Sequence, residues 1–551
     1  MKEKTHMGET KTKFVIVTGG VLSGIGKGIT AASIGALLNC VGKKVTVQKL
    51  EPYFNVDSGT LNPREHGECF VTSDGKETDL DLGHYERFIG ENLNKNCVML
   101  SGGLFTEMLA RERNGFYEGK NVQLVPHLTN LIQEKILEAS KNSDVHIMEL
   151  GGTVGDYEAL SYIEAVRELA AKIGRENCIF VHVAYVPFLK VSEEFKTKPL
   201  QNSVRDLREY GIVPDIIVAR TEEIPRNVYI EKKVAPFVGV PQEQIIVLPN
   251  ADTIYRVPET LFEKNIHKYI FDKFKIKFTQ KDFAKKMDER WGKVIDLFEK
   301  SQKQKEVKIA IVAKYLDNAD SYYSVIESLK IASWNAGVKL KYVWVDAEKI
   351  NEKNVNKELA EFRGILVPGG FGNRGVEGKI LAAQFALQNK IAYLGLCLGL
   401  QVAVIGAARI GGIQNANSEE FDKQAREKNR NVVYIMNGQV GKENTGGTMR
   451  LGTYVCKVAK DSLAYKTFAK EKIEERHRHR FEVNQSFLAE INKGGLTISG
   501  TSPDGKLVEL VEADKKINHP FFLATQSHPE FLSRPWSPHP MFLEFIKAAK
   551  K

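Results

Sequence analysis

Short apolar runs alternate with amphipathic stretches through the first half of the chain. Phe14-Val15-Ile16-Val17, Val145-His146-Ile147-Met148, Ile179-Phe180-Val181-His182-Val183 and Ile216-Ile217-Val218 are apolar almost throughout, as strands buried on both faces of a parallel sheet are. A helical pattern precedes or follows each run, which predicts an α/β fold. From about Tyr269 to Glu306 the chain turns lysine-rich and amphipathic, with Trp291, Val294, Ile295 and Phe298 forming one apolar stripe. That pattern predicts a helical linker. The α/β alternation restarts at Ile309-Ala310-Ile311-Val312 and continues at Gly364 to Val367 and Ala392 to Leu396. The expected organisation is a disordered tail over 1–12, an α/β domain over 13–270, a linker over 271–306 and a second α/β domain over 307–551.

Composition narrows the function classes. At 551 residues the chain exceeds what one hydrophobic core supports. No stretch approaches the roughly 18 consecutive apolar residues of a membrane span, and Met1 to Lys13 lacks the apolar core of a signal peptide. The six cysteines form no Cys-x-x-Cys pair, which argues against a disulfide framework or zinc site and for a reducing, cytoplasmic location. A net charge of +9 points to anionic partners. No helix-turn-helix, zinc-finger or aromatic-basic signature accompanies it, so nucleic acid is not expected.

The first strand leads into Thr18-Gly19-Gly20-Val21-Leu22-Ser23-Gly24-Ile25-Gly26-Lys27-Gly28-Ile29-Thr30 and then a helical run. Glycines let the backbone curl until its N–H groups converge on a phosphate, and Lys27 and the helix N-terminus add positive charge. The match to a P-loop is imperfect: five residues separate Gly20 from Gly26, and Gly28 replaces the usual Ser or Thr. By itself the segment also reads as a plain strand-to-helix turn. Glu149 ends the strand that begins at Val145, where nucleotides bind in such sheets, and magnesium there needs one or two carboxylates plus phosphate oxygens. Asp79 and Asp81 offer a second carboxylate, although their spacing of two equally suits the solvated face of a strand.

In the second half, Gly395-Leu396-Cys397-Leu398-Gly399 follows an apolar strand and opens a helical pattern. This is the nucleophile-elbow pattern with sulfur in place of oxygen; a buried core cysteine is the plain alternative. His528-Pro529-Glu530 supplies a base and a carboxylate to orient it. Val367-Pro368-Gly369-Gly370-Phe371-Gly372 exposes backbone N–H groups that, with the N–H of Leu398, suit an oxyanion. The three together predict a Cys-His-Glu acyl-transfer site.

With these motifs in order, the chain resembles the CTP synthase family along nearly its whole length, its second half being similar to class I glutamine amidotransferases. The resemblance implies Cys397, His528 and Glu530 as the triad, and a glutamine pocket of Gly370, Leu398, Gly399, Leu400, Gln401, Glu420 and Arg480. In the first half it implies a P-loop-like synthetase domain. There Gly24, Ile25, Gly26, Lys27, Gly28, Ile29, Lys49, Asp81, Arg220, Pro249, Asn250 and Ala251 would meet ATP, with Asp81 and Glu149 holding Mg2+. Ser23, Asp156, Tyr157, Glu158, Lys196, Thr197, Lys198, Pro199, Leu200, Gln201 and Lys233 would meet UTP or the inhibitory product CTP. Gly24, Leu200 and Asn250 depart from the serine, threonine and aspartate common at those positions. The family also implies GTP as activator, with Phe371, Arg374 and Gly446-Gly447-Thr448-Met449-Arg450 as candidates near it, and a homotetramer.

The implied reaction is ATP-driven amination of UTP to CTP with ammonia from glutamine. Two other readings share parts of these motifs: a glutamine-dependent ligase amidating a carboxylate of a cofactor precursor, and a nucleotide-sensing scaffold without catalysis.

Overall fold

The computed structural model describes residues 11–224, 229–442 and 446–551. The chain divides into two compact units, Met1–Asp57 with His84–Ile295 and Ser58–Gly83 with Asp296–Lys551. Residues 1–10 of the expected tail lie outside the described residues, and the first strand starts at Lys13.

The first unit is built on seven strands: β1 (Lys13–Gly20), β2 (Val45–Glu51), β3 (Val98–Leu100), β4 (Val145–Leu150), β5 (Cys178–Tyr185), β6 (Ile216–Thr221) and β7 (Ile245–Pro249). Their order is β7-β6-β5-β1-β4-β2-β3, and every pairing is parallel. The apolar runs are therefore buried on both faces. Phe14, Ile16, Met148 and Phe180 pack with Tyr162, Ile163, Val166 and Leu169 of a helix over Leu160–Ile173 (α2). On the other face, Gly35 of α1 (Lys27–Cys40) lies against Ile147. Helix α3 (Lys198–Glu209) buries Leu200, Val204 and Leu207. With β1 between β4 and β5, α1 begins at the carboxyl edge of the sheet, where ligands bind in open α/β folds.

The second unit has a nine-stranded sheet of β8 (Glu306–Ala313), β9 (Lys339–Asp346), β10 (Gly364–Val367), β11 (Ala392–Leu396), β12 (Arg450–Val458), β13 (Lys472–His479), β14 (Leu496–Thr501), β15 (Val508–Ala513) and β16 (Phe522–Thr525). The order is β9-β8-β10-β11-β16-β15-β14-β12-β13. The first five strands run parallel and the rest pair antiparallel. Helices cover both faces. One apolar cluster holds Val376, Ile380, Leu400 and Val404, from α5 (Val376–Asn389) and α6 (Leu398–Ile410). The other holds Val325, Leu329, Phe542 and Phe545, from α4 (Tyr323–Ala336) and α7 (Pro540–Lys550).

Two features depart from the sequence reading. The Ser58–Gly83 segment clusters with the second unit although it sits early in the chain. Its strands, Phe70–Val71 and Glu77–Thr78, are too short to carry a periodic signal and need a partner surface. They find one in the Phe531 ring, 4.7 Å from that of Phe70, and in Arg476, whose Nη1 donates to the Val71 carbonyl at 3.0 Å. The strand ends at Thr78, and Asp81 opens a helix over Asp81–Ile89, so Asp79 and Asp81 do not share a strand face. The expected linker is helical over Ile266–Lys273, Gln280–Met287 and Lys293–Gln302, and the division between units falls inside its last helix. The apolar stripe divides accordingly. Trp291 lies against Phe88 at 5.3 Å, whereas Phe298 meets Trp334 edge-on at 5.4 Å.

Candidate active sites

In the first unit, the glycine loop is built as its sequence requires. Gly24 and Gly26 take left-handed φ of 70° and 92°, conformations that glycine adopts without strain. Lys27, the first residue of α1, is buried and donates to the Gly152 carbonyl at 2.7 Å. A Cβ on Gly19 would stand 2.5 Å from Lys27 Cδ, so the bare strand end is what lets the lysine stem lie along it. Beneath the loop, His182 Nδ1 meets Thr18 Oγ1 at 2.9 Å and its Nε2 meets Ser203 Oγ at 2.8 Å. Burial, helped by the charge of Lys27, pushes this imidazole down to about 3, so it stays neutral.

Arg220 ties the loop to the ends of β6 and β7. Its guanidinium donates to the carbonyls of Ile25 at 3.0 Å, Leu248 at 2.5 Å and Pro249 at 2.9 Å, and to Asn250 Oδ1 at 2.8 Å. Asparagine at 250 keeps the acceptor but not the charge of an aspartate. Ala251 beside it is exposed. Glu149, at the end of β4, is held by Lys49 Nζ at 3.0 Å and by the Tyr85 hydroxyl. Among the described residues no group of three or more His, Cys, Asp or Glu side chains is arranged to hold a metal ion.

The residues expected around a pyrimidine nucleotide have diverse surroundings. Ser23, Tyr157, Glu158, Lys198 and Lys233 are exposed. Asp156 accepts from Thr153 N–H at 2.7 Å, and Lys196 pairs with Glu194. Thr197 and Leu200 are buried. Leu200 packs with Val204 and Val234, so its side chain belongs to the core and only its backbone is left for a ligand.

In the second unit, Cys397 stands between β11 and α6 with φ of 52° and ψ of −101°. A non-glycine residue there is strained, and the strain holds the thiol on the turn. Both flanking glycines are required: a Cβ on Gly395 would stand 2.8 Å from the Gly399 backbone, and one on Gly399 would stand 2.1 Å from Val367 O. His528 Nδ1 pairs with Glu530 Oε1 at 2.7 Å. The imidazole stacks on Phe531 at 5.2 Å and 12°. A Cβ built on Gly369 would lie 3.1 Å from His528 Cε1 and 3.7 Å from Cys397 Cβ, so this glycine sits against thiol and base alike. Burial opposes charge on His528, but Glu530 and Cys397 outweigh it and raise the imidazole to about 10.

Cys397, His528, Glu530, Gly369, Gly370, Phe371 and Arg478 line one cavity of about 70 Å3, together with Glu68 and Cys69. Glu420 Oε1 accepts from Gly372 N–H at 2.7 Å, and Arg480 Nη1 donates to Gln439 and Thr448 at 2.8 and 2.7 Å. Leu398 and Leu400 are core residues, so their contribution is their N–H groups in the first turn of α6. Gln401 donates to Phe481 O at 3.1 Å and to Gln526 Oε1 at 3.3 Å. Gln526 in turn donates to Cys397 Sγ at 3.7 Å. Of the residues expected near an effector, Phe371 lies under the Arg478 guanidinium at 5.0 Å, and Arg374 pairs with Glu348 at 2.9 Å. Gly447 N–H donates to Glu77 at 2.9 Å. Arg450 is buried between Glu509 and Glu482, at 2.6 and 3.3 Å, and faces no solvent-borne ligand.

Sequence reasoning passed over Gln526, Tyr85, Lys314 and Lys379, and it missed that Ser58–Gly83 packs with the second unit. Gln526 carried a faint signal, two residues before His528 on the same strand end. The others carried none, because each acts through a fold-dependent neighbour.

The model of the CTP synthase N-terminus matches residues 13–276, and that of class-I glutamine amidotransferases matches residues 318–548. Curated relatives named CTP synthase include that of Carboxydothermus hydrogenoformans, 47% identical over 98% of this chain and 99% of the relative. That of Pelotomaculum thermopropionicum is 47% identical over 98% of each chain, and that of Bacillus cytotoxicus 45% identical, again over 98% of each. Among solved structures, the chain is similar to the Trypanosoma brucei CTPS glutaminase domain with bound acivicin, at 42% identity and a TM-score of 0.41, over 44% of this chain and 94% of that one. With close to half its residues shared with such relatives from end to end, the chain belongs to the CTP synthase family.

Proposed function

We propose that this chain aminates UTP to CTP, driven by ATP and supplied with ammonia by its own hydrolysis of glutamine. The observation that carries the reading is the strained Cys397 elbow beside the His528–Glu530 pair, on a chain that also holds a glycine loop with a buried lysine. In the first unit, Lys27 and Lys49 neutralise the ATP phosphates while the loop N–H groups from Gly24 to Ile29 hold them. Transfer of the terminal phosphate to the uracil 4-oxygen makes that oxygen a good leaving group, and ammonia displaces it. Glu149 would hold Mg2+ there. One buried carboxylate beside a lysine fits a cation whose remaining ligands are nucleotide phosphates, and the ion's chemistry is to neutralise charge on those phosphates.

In the second unit, the Cys397 thiolate attacks the glutamine side-chain amide and the N–H groups of Gly370 and Leu398 stabilise the oxyanion. The His528 imidazolium gives its proton to the leaving ammonia. Water then hydrolyses the thioester and releases glutamate. Arg480 clamps the α-carboxylate of glutamine and Glu420 its ammonium, and the ammonia released is the nitrogen source for the amination. We assign CTP as feedback inhibitor to the UTP residues and GTP as activator to the surface near Phe371, and we take the working form to be a cytoplasmic homotetramer.

Three measurements test these assignments. ADP release from ATP is expected to require UTP; equal release with a carboxylate substrate in its place would favour the cofactor-precursor reading. Replacing Lys196 and Lys198 with alanine is expected to raise the UTP requirement and weaken CTP inhibition far more than it changes the ATP requirement. An isolated ATP defect would overturn that assignment. The third concerns pH. The His528 charge, raised to about 10, is fully present below the ordinary histidine value of about 6.5 and lost as pH rises through the raised one. Its stabilising contribution and its role as proton donor both fade on the alkaline side. Glu530→Gln removes the main raising partner, so the alkaline limb of glutamine hydrolysis is expected to move down by at least about one unit; an unmoved limb would contradict this role.

A further inference from the structure

Lys379 is a lysine with no exposed surface, in the first turn of α5, among Val376, Ile380 and Ala383 of an apolar cluster. Burying an amine costs free energy unless its hydrogen bonds are made. Here Nζ donates to the Pro368 carbonyl at 2.9 Å and approaches the Gly369 carbonyl at 3.5 Å. Burial, with the nearby charge of Lys314, pushes its pKa far below that of an ordinary lysine, and the amine donates N–H in either protonation state. Beyond Gly370, Lys314 does the same for Phe371 and Gly372, donating to both carbonyls.

These contacts fix which way the loop's peptide planes face. In a trans peptide, the carbonyl of one residue and the N–H of the next point to opposite sides. Where Lys314 holds the Phe371 carbonyl, the Gly372 N–H does point away, to Glu420 Oε1 at 2.7 Å. By the same rule, a Gly369 carbonyl drawn to Lys379 turns the Gly370 N–H the other way. Gly369 and Gly370 line the cavity that holds Cys397 and His528. Without a donor behind them, adjacent glycines offer little torsional resistance to a flipped peptide.

We propose that Lys379 is a positioning residue for glutamine hydrolysis, holding the Pro368–Gly369 carbonyls from behind so that the Gly370 N–H faces the thiol as an oxyanion donor. This rests on the glutaminase reading above. Wild-type glutamine turnover tests that reading, and the variant-to-wild-type comparison tests this one.

Lys379→Met keeps the length and apolar packing and removes the donors; Lys379→Gln restores an N–H donor group on a shorter side chain. In the full chain, Lys379→Met is expected to lower kcat for glutamine hydrolysis by about 100-fold, the usual effect of losing an oxyanion donor, with KM for glutamine little changed. Lys379→Gln is expected to recover part of the loss. Alkylation of Cys397 by iodoacetamide, which forms no oxyanion, and CTP synthesis from ammonium salt should continue at wild-type rates, showing that the fold and thiol are intact. A kcat near wild type, a rise in KM alone, or a parallel loss of alkylation and ammonia-dependent synthesis in both variants would each overturn the proposal.

Discussion

Cys397→Ala is expected to abolish glutamine-dependent CTP synthesis while sparing synthesis from ammonium salt. The thiol is the only part of the elbow that alanine removes. The backbone that makes the turn is held by Gly395 and Gly399 and by the Cys397 N–H, which donates to the Thr525 carbonyl at 2.8 Å. The substitution adds neither bulk nor charge, and it leaves the hydrogen bonds of Glu420 and Arg480, the residues proposed to hold glutamine, untouched. Without a nucleophile no thioester forms, so the glutamine-dependent rate should fall by at least about a thousandfold, as when other covalent nucleophiles are deleted. The ammonia-dependent rate should stay within about twofold, because Cys397 belongs to the second unit and the glycine loop to the first. Rates with the two nitrogen sources, measured on one preparation, check this. Loss of both activities would mean that Cys397 is structural, and retained glutamine use would put the nucleophile elsewhere.

Lys27→Ala should have the complementary effect, with CTP formation lost from either nitrogen source. Lys27 is the cation closing the glycine loop, and its amine is anchored on Gly152 at 2.7 Å. Removing it leaves converging backbone N–H groups without the charge that offsets the phosphates, and a loss of about 100-fold or more is expected for electrostatic stabilisation of this kind. The thiol of Cys397 should still be alkylated at the wild-type rate, since nothing in its cavity changes. CTP synthesis at the normal rate from ammonium salt would remove Lys27 from the mechanism.

Much of this was legible in the residues because the informative features are local. Phe14 to Val17 is apolar without alternation and Val145 to Met148 nearly so, with His146 as its one polar residue; a strand buried on both faces has that pattern, so the parallel sheet followed. The Cys397 elbow was legible because the turn demands glycine at 395 and 399. The His528–Glu530 pair was legible because its members lie two apart in sequence, although they meet across the start of the 3-10 turn over Pro529–Leu532 and not along an extended segment. What was hidden depends on distant partners. Lys379 reads as one more lysine until Pro368 and Gly369 are brought over it. Ser58–Gly83 reads as part of the first domain until its Phe70 is seen on Phe531 and its Glu77 on Arg478, at 2.7 Å. Leu200 lay in a motif that matched a nucleotide grip, yet its side chain is spent on the core. Arg450, one of the candidates near an effector, is likewise consumed by Glu482 and Glu509. A motif locates a segment; which way each side chain faces is settled by packing.

The central claim is that one chain couples glutamine hydrolysis to ATP-driven amination of UTP. The most direct measurement follows the absorbance change as UTP becomes CTP, with purified protein, ATP and Mg2+, first with glutamine and then with ammonium salt as nitrogen donor. The account predicts CTP from both donors, with one glutamate released per CTP when glutamine is the source. ATP hydrolysis with no CTP from either donor would contradict it.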